Sequence, residues 1–183
     1  MKTKKLILTA LFTALTTVAT MVIHIPTPTM GYIHPGDALV LLSGILLGPL
    51  AGAFAAGVGS ALSDLFGGYF IYVPATLIIK GLTAWVAYYV FREIKKLFSK
   101  DIPATIIGGV VGETVMVIGY FLFEIFMLAI TTGDGLTSAG IAAGIAASAS
   151  GVPFNVVQGI VGIILATALY PLLKRLKQET IEK

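Results

Sequence analysis

The chain has 183 residues, 57% of them apolar and only 11% charged, with a formal net charge of +3. Soluble domains are roughly 45–50% apolar and about 25% charged, so this composition excludes a soluble enzyme, a disordered chain and a coiled coil. With no cysteine and two histidines there is no disulfide framework, thiolate metal site or cysteine nucleophile, and a mean hydropathy of +0.97 places the chain in a membrane.

In chain order, the first uncharged apolar stretch runs from Leu6 to Ile25, behind Lys2, Lys4 and Lys5. A basic start before an apolar run also fits a signal peptide cleaved after Ala19. Cleavage would break the charge pattern described below, so the segment is read as a retained helix. It carries Ala10 and Ala14, a small-xxx-small spacing that lets helices approach closely. The same spacing recurs at Gly44, Gly48 and Gly52 and at Gly108 and Gly112. Pro26 and Pro28 open a loop containing Tyr32, His34 and Asp37. A second span is expected over residues 37–48, short at about 17 Å for 1.5 Å per residue. After the Gly48-Pro49 break comes a third span over 50–66, followed by a Gly-rich aromatic turn with Tyr69, Phe70 and Tyr72. A fourth span over 74–91 contains Lys80, and Arg92, Lys95, Lys96 and Lys100 form the loop behind it. Spans five and six are expected over 102–130 and 152–173, ahead of a tail with Lys174, Arg175, Lys177 and Lys183. Between them, residues 131–151 are read as an external loop or lid with some helix.

Eleven of the twelve basic residues fall in three clusters: the N-terminus, the 92–100 loop and the tail. Short Lys/Arg-rich segments stay cytoplasmic, so an even number of crossings separates each pair of clusters. The expected fold class is therefore all-α, a polytopic membrane protein of six transmembrane helices with both termini cytoplasmic. Residues 1–183 form one domain, with no repeat of its first half in its second.

Ionisable groups at membrane depth are costly and point to function. Lys80, Glu113 and Glu124 are the three such groups. Glu113, Tyr120 and Glu124, spaced seven and four apart, share one helix face. Asn155 and Gln158 stand i, i+3 near the outer end of the sixth span. Lys80, Glu124, Asn155 and Gln158 fall in the outer half of the bilayer, with Glu113 nearer its middle, and the arrangement implies a polar pocket that opens outward. A plainer reading makes Lys80 and Glu113 an interhelical ion pair, with Asn155 and Gln158 as polar glue between helices. Tyr69, Phe70 and Tyr72 suit either an interfacial belt or a stacking lid over a flat ring, and Asp37 and Asp64 suit helix caps. No HExxH, Walker-type loop or GxSxG motif occurs. An intramembrane enzyme using Glu113 or Glu124 as base, a structural scaffold and a self-sufficient carrier are the competing readings.

The order Gly36-Asp37, Gly48-Pro49-xx-Gly52, Ser63-Asp64-xx-Gly67-Gly68-Tyr69, Pro74, Ile79-Lys80-Gly81, Gly112-Glu113 and Asn155-xx-Gln158-Gly159 resembles the substrate-binding S components of energy-coupling factor (ECF) vitamin transporters. It is most similar to the riboflavin-transporter-type subfamily, which includes hydroxymethylpyrimidine and pyridoxine S components. The resemblance implies a non-enzymatic protein of the cell membrane that binds a vitamin-like small molecule from outside. It implies partnership with a transmembrane coupling subunit and two cytoplasmic ATPases, the former docking on Ala10 and Ala14. Lys80, Glu113, Asn155 and Gln158 are the expected substrate contacts, with Tyr32, Tyr69, Tyr72, Tyr120 and Glu124 beside them. No cofactor, metal or nucleic acid is implied. Amides, acids and a lysine around aromatic rings suit a small flat heterocycle with donors and acceptors on its edge.

Overall fold

A computed structural model describes residues 2–131 and 135–182 of the chain. Seven helices lie among these residues: α1 (Lys2–Val22), α2 (Asp37–Leu47), α3 (Pro49–Gly67), α4 (Val73–Phe98), α5 (Asp101–Thr131), α6 (Ser138–Ala149) and α7 (Val152–Glu182). Their boundaries follow local chemistry. Pro49 sits in the first turn of α3, where its missing N–H costs nothing. Gly68 ends that helix in the left-handed region (φ 83°), and its N–H caps the carbonyls of Asp64 and Leu65. Pro74 likewise stands in the first turn of α4. In the lid segment, the Thr137 hydroxyl accepts from Gly140 N at 3.0 Å and starts α6. The expectation of helix within residues 131–151 therefore matches α6, while residues 132–134 lie outside the described part.

Five helices are long and apolar enough to cross a membrane: α1, α3, α4, α5 and α7. The expected second span is α2, which has only 11 residues, about 16 Å at the helical rise. Ten of those residues are buried. Its sequence is apolar all round because its surroundings are helices and not lipid: α2 packs on α1, α3, α4, α5 and α7. At its end, Lys177 Nζ donates to the Leu46 carbonyl at 2.5 Å, placing a cation on an otherwise unsatisfied C-terminal group. Gly44 carries the α2–α4 crossing, since a β-carbon there would overlap the Ala84 carbonyl.

The first span ends at Val22 and not at Ile25, because Ile25–Pro26 becomes strand β1. It pairs antiparallel with β2 (Tyr32–Ile33), with Ile25 opposite Ile33 and Pro26 opposite Tyr32. Thr27 N donates to Gly31 O at 2.9 Å across the turn, and Met30 adopts a left-handed φ of 65° within it. This loop is thus a short hairpin, with Thr29 buried at its tip. Tyr72 and Tyr120, with Ile79, Met116, Met127 and Leu128, form an apolar cluster beneath that tip. Leu41, Leu42, Ile45 and Leu46 of α2 anchor a second cluster with Phe91, Ala104 and Tyr170.

Candidate functional site

The β1–β2 hairpin, the ends of α3, α4 and α5 and the start of α7 enclose a cavity of about 30 Å³. Tyr32, Tyr72, Tyr120, Glu124, Asn155 and Gln158 line it, joined by Thr27, Gly31, Asp64 and Thr76. Six of the nine expected substrate residues therefore meet at one place. Tyr120 and Glu124 reach it together because four residues of helix bring them to one face of α5.

Glu124 anchors the hairpin to the bundle. Thr29 Oγ1 donates to its Oε1 at 2.8 Å. Tyr72 OH donates to the Thr29 carbonyl at 2.6 Å and lies 3.3 Å from the same Glu124 oxygen. Ser148 of α6 approaches the other carboxyl oxygen at 3.5 Å. Three separate elements close on one buried acid. On the opposite wall, Tyr32 OH donates to Asp64 Oδ1 at 2.7 Å. Burial, and then the neighbouring acids Asp64 and Glu124, push the Tyr32 and Tyr72 phenols above their ordinary value, so both stay protonated donors. Thr76 and Tyr120 share a hydroxyl–hydroxyl bond of 3.0 Å. The Asn155 amide, 8% exposed, makes no hydrogen bond within the described protein and points its unused donors and acceptor at the cavity.

Beneath the cavity lies a second polar layer. Lys80 and Asp37, both fully buried, form an ion pair of 2.5 Å. Gln158 Nε2 donates to the other Asp37 oxygen at 2.6 Å, and its Oε1 accepts from His34 N at 3.0 Å. His34 Nδ1 in turn accepts from Gly36 N at 3.1 Å. Burial lowers the His34 pKa to about 3, so the ring is a neutral acceptor at ordinary pH.

This layer changes several expectations. Lys80 pairs with Asp37 and not with Glu113, and it does not line the cavity; its ammonium stands 5.3 Å from the Tyr120 ring centre. Asp37 is no helix cap, because Gly36 holds the N-cap position of α2 without a side-chain bond. Gln158 is a bridge whose two ends are both taken. Glu113 lies outside the cavity, seven residues below Tyr120, and lines a separate groove between α5 and α7 with Gly159 and Ile163. Seven residues is almost two turns along α5, so sharing a face with Tyr120 puts Glu113 about 10 Å deeper. Tyr69 is half-buried outside the wall and packs on Tyr32 with ring centres 4.5 Å apart. Phe70 is exposed while Tyr72 is buried, which divides the aromatic turn between lipid and site.

Asp37, Asp64, Thr29 and Thr76 are site residues that the sequence reading did not select. One signal was available for Asp37: a lysine at membrane depth needs a counter-ion. No group of three or more His, Cys, Asp or Glu among the described residues is placed to hold a metal. On α1, Ala10 and Ala14 are both exposed, between the exposed Leu11, Leu15 and Val18.

A family described as ECF-type riboflavin transporter, S component matches residues 1–177. An uncharacterized protein of the gap 3' region of Pyrococcus woesei is 35% identical over 159 residues, spanning 86% of this chain and 99% of that one. A solved S component of a bacterial ECF transporter shares the fold, with a TM-score of 0.68 and 24% identity over 96% of this chain and 98% of its own.

Proposed function

This chain belongs to the family of ECF-type riboflavin transporter S components, and from that premise we propose that it captures a small heteroaromatic vitamin or vitamin precursor, of hydroxymethylpyrimidine or pyridoxine type. As a family member it is a membrane-embedded component of a vitamin transporter, not an enzyme. Substrate enters from outside and leaves inside when a transmembrane coupling subunit and two ATPases drive the release. With α2 read as a short sixth crossing, the three basic clusters share the cytoplasmic side, as do both termini. The coupling subunit docks on the exposed Ala10–Ala14 strip of α1.

The observation that carries the substrate reading is the character of the cavity wall. It holds two acids, Asp64 and Glu124, three tyrosines and one unused amide, and no cation. Lys80, the lysine at this depth, is spent on Asp37. A carboxylate or phosphate ligand would meet acids without a counter-charge, at a cost of several kcal/mol on burial. A ring with amino and hydroxyl donors on its edge satisfies Glu124, Asp64 and Asn155 and stacks against the phenols. Small-molecule sites usually offer about 300–1,000 Å³, so the cavity of about 30 Å³ has to widen before any ring enters. The Thr29–Glu124–Tyr72 clasp is the element that yields. Riboflavin is the alternative cargo; its tricyclic ring and ribityl chain demand far more widening than a single ring does.

A thermal-shift panel on the purified protein in detergent tests this reading, using hydroxymethylpyrimidine, thiamine, pyridoxine, riboflavin, pantothenate, biotin and folate. A ligand at a hundredfold excess over its dissociation constant stabilises the folded state by about 2.7 kcal/mol. A shift with a pyrimidine or pyridine alone is expected. A shift only with riboflavin overturns the small-ring assignment, and one only with a carboxylate vitamin overturns the electrostatic argument.

A further inference from the structure

At the end of the bundle away from the cavity, α5 and α7 diverge around a groove of about 490 Å³. Lys100, Asp101, Ile102 and Pro103 line it from the start of α5, and Tyr170, Pro171, Lys174, Arg175 and Gln178 from α7. The groove is far from the vitamin site: Asp101 precedes Glu124 by 23 residues on one helix, about 35 Å at the helical rise.

Its charges are unevenly spent. Asp101, the acid in the lining, is held by Lys95 at 2.5 Å and Lys174 at 2.7 Å. Two cations therefore already serve one carboxylate. Lys100 and Arg175 have no ion pair or hydrogen bond within the described protein, and both are exposed. Their charge meets no acid in the groove beyond the one already neutralised. Toward the membrane the lining turns apolar. Ile102, Ile106 and Val110 of α5, and Ile160 and Ile164 of α7, are all exposed. By helical spacing they stand on the groove's side of their helices, where a second α5–α7 groove lined by Val110, Val117, Ile160 and Ile163 continues the track. Cations in a concave site at one membrane face, with an apolar track leading from it, match an amphiphile: a phosphate head with acyl chains.

We propose that this groove binds the headgroup of an anionic phospholipid, with Lys100 and Arg175 on its phosphate and an acyl chain along the α5–α7 track. The apolar continuation favours a lipid over a free phosphate, which would use the cations and leave the track unused. It also favours a lipid over an acidic peptide, because the track runs up the membrane-facing side of the helices.

The test places the full-length protein in detergent, titrates it with phosphatidylglycerol or phosphatidylcholine, and reads bound lipid by native mass spectrometry alongside the melting temperature. A basic residue beside an anionic headgroup contributes about fivefold in affinity. Wild type should then retain phosphatidylglycerol about 25-fold better than phosphatidylcholine. Lys100→Gln or Arg175→Gln alone should reduce the preference to about fivefold, and the double variant should abolish it. Both side chains are exposed, so the variants should melt like wild type without added lipid, which separates lost binding from lost folding. Equal retention of the two lipids by wild type, or an unchanged preference in the double variant, overturns the proposal. So does glycerol phosphate raising the melting temperature as much as phosphatidylglycerol, since the head alone then suffices. Lipid-independent loss of coupling-subunit capture by the double variant, with lipid preference intact, overturns it in favour of a protein partner.

Discussion

Lys80→Met removes the cation from a fully buried pair and leaves Asp37 with Gln158 as its remaining side-chain partner. At about 4 Å between charge centres and an effective dielectric near 20, the attraction is about 4 kcal/mol. Removing one member of such a pair typically costs about 3–5 kcal/mol, because the other charge is stranded. For a chain of this size each kcal/mol lowers Tm by about 2–4 °C, so Lys80→Met should melt about 6–20 °C below wild type. Asp37→Asn should cost a similar amount by stranding the ammonium. The double variant, neutral and close to the original volume, should recover most of the loss. The assay is a double-mutant cycle by thermal unfolding in detergent, with binding of whichever vitamin the panel identifies measured on each variant. Additive single effects, or a Lys80→Met protein melting within about 3 °C of wild type, would refute the reasoning. A double variant that regains stability but not affinity would show that Lys80 reaches the ligand itself.

Gly44→Leu should prevent α2 from reaching α4, because the Ala84 backbone occupies the space a side chain would need; about 3 kcal/mol or more is expected to be lost, read as yield of monodisperse protein and Tm. Gly81→Ala is the control: its β-carbon would meet nothing closer than the Ala53 carbonyl at 3.4 Å, so the change should be neutral or stabilising by up to about 1 kcal/mol. The buried His34, whose pKa falls to about 3 from an ordinary 6.5, binds fewer protons folded than unfolded in that interval. Stability should hold above pH 6.5 and decline as pH falls, by up to about 1.4 kcal/mol per unit from this group. Thermal unfolding between pH 7.5 and 5 reads the slope, which His34→Asn should flatten; an unchanged slope would exclude His34 as its origin. Ala10→Trp with Ala14→Trp should leave Tm and vitamin binding as in wild type while abolishing capture of the coupling subunit and ATP-driven uptake, since both positions face outward; retained uptake would move the docking surface elsewhere.

Periodicity and charge made much of this protein readable in one dimension. Five long helices stand where apolar stretches are long enough to cross a membrane, and Pro49, Gly68 and Pro74 end or start them where backbone chemistry requires. The i, i+4 pair Tyr120 and Glu124 and the i, i+3 pair Asn155 and Gln158 share faces by helical geometry alone, and both pairs reach the cavity. Which faces meet is a different matter. Asp37 finds Lys80 across 43 residues and Gln158 across 121, and Thr29 finds Glu124 across 95. Nothing local marks these partners, because each helix face is compatible with many neighbours until packing selects one. The same limit explains Glu113, correctly placed on its face yet two turns too deep to reach the cavity. It also explains α2, whose run is apolar all round because five other helices, and not lipid, surround it. Local sequence determines where a chain turns and which groups it presents together; the counter-ion and the clasp exist only when separate helices are brought to the same depth, and only tertiary packing sets that depth.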